Sequence, residues 1–230
     1  AQSWGEGLDA GVEASVRAAL DQLAPLVASI TAIDLPLLEA SIPAYYLVAT
    51  AEASANLSRF DGVRYGARDE HAGTLDAMYS GTRGRGFGTE VKRRILLGTH
   101  ALSSGYYDAY YLRAMKVRRK IADDFARAFE TCDVIALPAT PTPAFRIGEQ
   151  IDDPLTMYRN DLYTIAANLA GVPAISIPCG LHGDGLPLGV QLMAPRFQEA
   201  KLLRVASHWE AKLGTLGRPP RVRAAGGDSR

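Results

Sequence analysis

Val12, Val16, Leu20, Leu23 and Val27 recur at spacings of three and four, the mark of one apolar helix face. Asp9 stands just ahead of them as an N-cap, and Pro25 should end or kink the helix early. From Ser29 to Leu35 apolar and polar residues alternate, as Ile30, Ala32 and then Ile33 with Leu35, which predicts a short strand closed by Pro36. Residues 37–57 are rich in Ala and Leu and predict a helix broken near Pro43. Between Ser58 and Gly88 the chain is punctuated by Gly and charge and ends in GTRGRGFG, so a long loop is expected, with one helical turn around Leu75 to Tyr79. Thr89 is the expected N-cap of a helix through Val91, Ile95 and Leu102. After Ser103-Ser104-Gly105, a second helix is expected to carry Tyr110, Ala114, Val117, Ile121 and Phe125 on one face and to end near Glu130.

The pattern then changes. DVIALPAT (133–140), AISIPCG (174–180) and LPLGVQLMA (186–194) are short apolar runs closed by Pro or Gly, as buried strands are. A helix is expected from Asn160 to Leu169 and a last one from Gln198 to Lys212. Strands alternating with helices give an α/β chain with a mixed β-sheet covered by helices. No internal repeat appears, and one domain is expected over residues 1–216, followed by a polar Gly/Pro-rich tail, 217–230, expected to be disordered.

Charge narrows the function. Lys+Arg and Asp+Glu both number 25, so the net charge is zero, without the basic excess of a domain that grips nucleic acid by its phosphates. Cys132 and Cys179 lie far apart beside apolar runs, with no CxxC partner, and read as small buried residues in a reducing compartment. No stretch reads as a membrane span or a signal peptide, so a cytoplasmic protein is expected. The chain opens at Ala1 in the polar stretch AQSWGEGLDAG, which reads as a connection into the first helix and suggests a fragment.

Several chemical candidates resolve to ordinary readings. GTRGRGFG is neither GxGxxG nor followed by Lys-Ser/Thr, so it reads as a surface or lid loop rather than a phosphate cradle. Ser103-Ser104-Gly105 reads as a helix break with a Ser cap, and His71, His100, His182 and His208 are too scattered to ligate a metal. Lys92, Arg93 and Arg94 begin a helix, where the dipole favours anions; they are either a solvated face or a fork for a ligand carboxylate. Asp161 is either an N-cap acid or a ligand contact.

Longer blocks carry a resemblance. EASANLSRFDGVRYG (52–66), GFGTEVKRRILLGTHALSSGYYDAYYLRAMKVR (86–118), DVIALPATPTPAF (133–145), IDDPLTMYRNDLYTIAANLAGVPAISIPCG (151–180) and GLPLGVQLMAPRF (185–197) resemble the amidase signature family. Within it they are similar to the glutaminase subunits of aspartyl/glutamyl-tRNA amidotransferases. The resemblance covers nearly the whole chain except its tail and implies the amidase signature fold, here its C-terminal portion.

It also implies amide hydrolysis by a Ser–Ser–Lys triad, in which one Ser attacks the side-chain amide of glutamine. The serines and the Lys belong to the family's N-terminal half and match nothing in this chain, which is therefore expected to be inactive by itself. The partners implied are subunits B and C of the amidotransferase. Ammonia would pass to the former, which amidates Glu-tRNA(Gln) or Asp-tRNA(Asn) with ATP and Mg and handles the tRNA, while the latter joins it to the glutaminase. No cofactor or metal is implied on this chain.

Substrate reading does carry over. The family's Tyr, Arg and Asp that hold the amino-acid end of glutamine match Tyr45 in PAYYLV, Arg94 in EVKRRI and Asp161 in YRNDLY, with Tyr46 and Arg93 as one-residue alternatives. A zwitterion needs a cation for its α-carboxylate and an anion for its α-ammonium. The rival expectations are a stand-alone amidase, and a module that only docks subunits.

Overall fold

The computed structural model describes Trp4 and residues 7–149, 154–214 and 216–217; of residues 154–156 it describes the backbone. The expected disordered tail lies outside the described residues, Gly217 excepted. The chain forms two compact units, Ala1–Ile42 with Ile121–Arg230, and Pro43–Lys120.

In the first unit, helix α1 spans Ala10–Leu23 and starts as its sequence requires. The Asp9 carboxylate accepts from the backbone N–H groups of Gly11 and Val12 at 2.8 and 3.0 Å. Pro25 then turns the chain through a 3-10 segment, Ala24–Leu26. Residues 29–35 are irregular, which corrects the expected strand. Their alternation buries Leu35 but leaves Ile30 half exposed, and no ladder joins them to the sheet. A period of two makes a strand only where a neighbour takes up its backbone groups.

The sheet itself follows the apolar runs. Strands β1 (Ile135–Pro138), β2 (Ala174–Leu181) and β3 (Pro187–Met193) lie in the order β1-β3-β2, with both pairings antiparallel. Helices complete the α/β class: a last helix, Glu199–Leu213, and α1 pack on one face of the sheet. There Val12, Val16 and Leu23 meet Ile177, Val190 and Leu192, closed by Leu202 and Trp209. Gly180, at φ 151° beside a register shift after Pro178, lies where a Cβ would strike Ser15.

The second unit is helical. Helix α2, Ser41–Leu57, begins just before it, and Pro43 sits in its first turn, where a missing N–H costs nothing; the expected break is instead the start. The expected loop up to Gly88 contains a full helix, α3, Leu75–Gly86, so GTRGRG is helical. Thr74 caps it by accepting from Ala77 N, and Arg83 Nη1 donates to the carbonyls of Leu57 and Phe60 at 2.9 and 3.2 Å. Arg85 pairs with Asp69, whose carboxylate fits only because Gly81 has no Cβ. Capping and these anchors outweigh the low helix propensity of three glycines.

Helix α4 covers Thr89–Ala101 with Gly88, one residue before the expected Thr89, at the N-cap. A π-helical turn, Tyr107–Leu112, leads into α5, Arg113–Ala128, which re-enters the first unit. On α5, Ala114, Ile121 and Phe125 are buried as the periodicity predicts. The remaining helices, α6 (Pro154–Arg159) and α7 (Leu162–Ala170), precede β2, and Glu199–Leu213 is α8.

Candidate functional site

Arg94 lies one turn into α4, a place where the helix dipole disfavours a cation. Glu90 in the first turn compensates. Its Oε1 accepts from Arg94 Nε at 2.9 Å and its Oε2 from Arg93 Nη1 at 2.9 Å. The Arg94 guanidinium is held in its charged form by the Glu90 hydrogen bond, against partial burial, with a further contribution from Tyr45. The structure thus brings Tyr45 of α2 to Arg94 of α4 within one unit. Tyr45 also meets Tyr46 edge-on, ring centroids 5.2 Å apart. Glu90 takes the Nε side of the Arg94 guanidinium.

Glu90 escaped the sequence reading. The signal was there: an acid three and four residues before two arginines on one helix.

Asp161 belongs to the other unit. It occupies the N-cap position of α7 at φ −89°, ψ 0°, the bridge region, yet its side chain makes no capping bond. Its backbone carbonyl accepts from the N–H groups of Thr164 and Ile165. Asp161 is exposed at this N-cap position. Two side chains fix α7 beneath it. Gln191 of β3, buried, donates through Nε2 to the Tyr163 carbonyl at 2.8 Å. Arg196 donates to the carbonyl of Ala170, where Gly171 at φ 69° closes the helix. Thr142, after β1, lies 3.4 Å from Asn160 Oδ1, next to Asp161.

Ser103 has a local task. Its hydroxyl donates to the His100 carbonyl at 2.7 Å, bonding back to α4 rather than capping the next helix. Cys132 and Cys179 are free and half buried, and burial pushes both thiols up, away from reactivity. Among the described residues no group of three or more His, Cys, Asp or Glu side chains gathers as a metal site, and no helix is long and apolar enough to cross a membrane.

The chain belongs to the Amidase family, whose profile matches residues 2–203. Within that family it is 58% identical over 208 residues to the A subunit of the glutamyl-tRNA(Gln) amidotransferase of Thioalkalivibrio sulfidiphilus, covering 90% of this chain. It is 56% identical over 213 residues to the corresponding A subunit from Koribacter versatilis, covering 93% of this chain. It spans 43% and 44% of the lengths of these relatives.

Among solved structures, the A subunit of glutamyl-tRNA(Gln) amidotransferase from Thermotoga maritima superposes with a TM-score of 0.66 at 40% identity, over 89% of this chain and 39% of that one. The 6-aminohexanoate cyclic dimer hydrolase shares the fold, with a TM-score of 0.70 at 21% identity, over 94% of this chain and 44% of that one.

Proposed function

We propose that this chain is the glutamine-reading portion of an amidotransferase A subunit, and that the nucleophile and its base lie in the part of the relatives' length it does not match. The observation that supports this most is the identity to subunits of that name, 58% and 56%, across nine-tenths of the chain. Arg94 takes the α-carboxylate of glutamine, Tyr45 adds a hydroxyl beside it, and Asp161 takes the α-ammonium. Tyr45 is preferred to Tyr46, and Arg94 to Arg93, because Tyr45 and Arg94 act on one another.

With the other half restored, hydrolysis of glutamine supplies ammonia for converting Glu-tRNA(Gln) or Asp-tRNA(Asn) to Gln-tRNA(Gln) or Asn-tRNA(Asn). Subunits B and C are the partners; the ATP, Mg and tRNA contacts lie chiefly on the first of them. By itself the chain hydrolyses nothing, and it works in the cytoplasm.

The test joins this chain to the N-terminal portion of the Koribacter versatilis relative and follows ammonia release from glutamine and from a plain primary amide. Arg94→Ala should raise KM for glutamine about 30-fold, corresponding to about 2 kcal/mol for a lost charge pair. The plain amide, which has no α-carboxylate, should be hydrolysed as before. Equal loss on both substrates would favour a stand-alone amidase with a structural Arg94. Activity of the 230-residue chain alone would move the nucleophile into it and reopen Ser103 and Ser104.

A further inference from the structure

Helix α4 meets successive turns of α2. At the first of them Tyr45 reaches Arg94. At the next, Gly98, four residues after Arg94 and buried, lies against Thr50. A Cβ on Gly98 would strike the Thr50 carbonyl oxygen and come within 2.8 Å of Ser54 Cβ. One turn further on, the hydroxyls of Ser54 and Thr99 share a hydrogen bond of 2.9 Å.

This contact is braced to the turns that carry the two functional side chains. On α2 the Thr50 hydroxyl, buried, donates to the carbonyl of Tyr46, the neighbour of Tyr45, at 2.6 Å. On α4 the Thr99 hydroxyl donates to the carbonyl of Ile95, the neighbour of Arg94, at 2.8 Å. Its own proton engaged there, Thr99 accepts from Ser54 across the gap. What faces Gly98 is main chain, which cannot rotate aside as the tip of a side chain can. Only a hydrogen atom fits, so the separation of α2 and α4 is set at this glycine.

We infer that Gly98 is a positioning residue for substrate. By letting α2 and α4 touch one turn from Tyr45 and Arg94, it holds hydroxyl and guanidinium at the separation that grips one carboxylate. It thereby favours amides that carry an α-carboxylate over plain ones. The inference rests on the glutamine reading of Tyr45 and Arg94. A methyl group at position 98 forces the helices apart by about 1 Å, and a hydrogen bond weakens steeply over that distance. Glu90 sits on α4 with Arg94 and moves with it, so the cation keeps its direction and the hydroxyl from α2 is what is lost. Gly98→Ala is therefore expected to match Tyr45→Phe and to stop short of Arg94→Ala.

The experiment uses the chain joined to the N-terminal portion of the Koribacter versatilis relative, with glutamine and a plain primary amide as substrates. Gly98→Ala should raise KM for glutamine about tenfold, the scale of a lost hydrogen bond to a charged group, and leave kcat and the plain amide within about twofold. Adding Tyr45→Phe should raise KM no further, because the hydroxyl is already out of reach. Gly84→Ala, on α3 of the same unit where an added Cβ meets open space, should leave both substrates as they were. Circular dichroism reports the folding of each variant. If Gly98→Ala does not fold, Thr99→Val, which keeps the shape and removes the hydroxyl that Ser54 holds, should raise KM for glutamine about threefold. An unchanged KM in whichever of these two variants folds, additive losses with Tyr45→Phe, or equal loss on both amides overturns the inference. An unchanged KM in Arg94→Ala would remove the glutamine reading and this inference with it. A full Arg94→Ala effect beside an unchanged Gly98→Ala removes the inference alone.

Discussion

The two units are built by different means. The sheet unit buries large side chains: Leu23, Ile121, Phe125, Leu192 and Met193 are each at most 1% exposed. In the helical unit the buried apolar residues are mostly small, Ala44, Ala51, Ala101 and Ala114, with Val48 and Met78, while Leu96 stays 71% exposed. There order comes from close approach and from anchored ends: Gly98 of α4 meets the Thr50 carbonyl of α2, and Arg83 ties α3 to the carbonyls of Leu57 and Phe60. One unit is held by volume removed from water, the other by backbone proximity and capping. The units should therefore fail under different substitutions.

The largest effect is expected in the sheet. Leu192→Ala should lower the unfolding free energy by about 2–5 kcal/mol in denaturant titration, whereas Leu96→Ala should change it by no more than about 0.5 kcal/mol. Comparable losses at the two leucines would erase the contrast.

Next comes a gain of volume in the helical unit. Gly98→Ala sets a methyl group against the Thr50 carbonyl and should destabilise by about 1–3 kcal/mol, read as a lower midpoint. A neutral result would mean that α2 and α4 part without penalty.

Smaller again is Glu90→Gln. The Glu90 pairs are half exposed, so stability should move by no more than about 1 kcal/mol. KM for glutamine in the restored enzyme should nevertheless rise, because Arg94 loses the carboxylate that orients it; an unchanged KM would leave Glu90 with a merely local role.

The smallest effect concerns acid. Backbone N–H groups of Arg64 and Val63 lower the Asp61 carboxyl from 3.8 to about 2. A folded-state value below the unfolded one gives stability that is present above 3.8 and lost as pH falls through about 2. Asp61→Asn should flatten the acid limb of an unfolding titration in that window and leave neutral pH nearly untouched.

What was legible follows the same division. Asp9, Pro25 and the face Val12–Val16–Leu23 defined α1 almost to the residue, and the three apolar runs became the three strands, because burial on a sheet writes its period into the sequence. The false strand at 29–35 shows that alternation alone does not make a strand. Helix α3 was hidden because its stabilisers, Asp69 and the carbonyls of Leu57 and Phe60, are remote in sequence from GTRGRG. Of the candidate site, the residues Tyr45, Arg94 and Asp161 were named from resemblance. The Tyr45–Arg94 proximity and the grip of Glu90 needed coordinates, since one depends on how α2 meets α4 and the other on rotamers.

Helix α7 carries Asp161 and is clasped at both ends, by Gln191 near its start and by Arg196 at its finish. Its amides therefore exchange with solvent deuterium only through rare openings that also disturb β3, close to the free energy of global unfolding. Helix α4, with Leu96 and Leu97 in water, opens locally and sooner. On warming, the arginine loses its fixed direction first, and the aspartate keeps its own until the sheet melts.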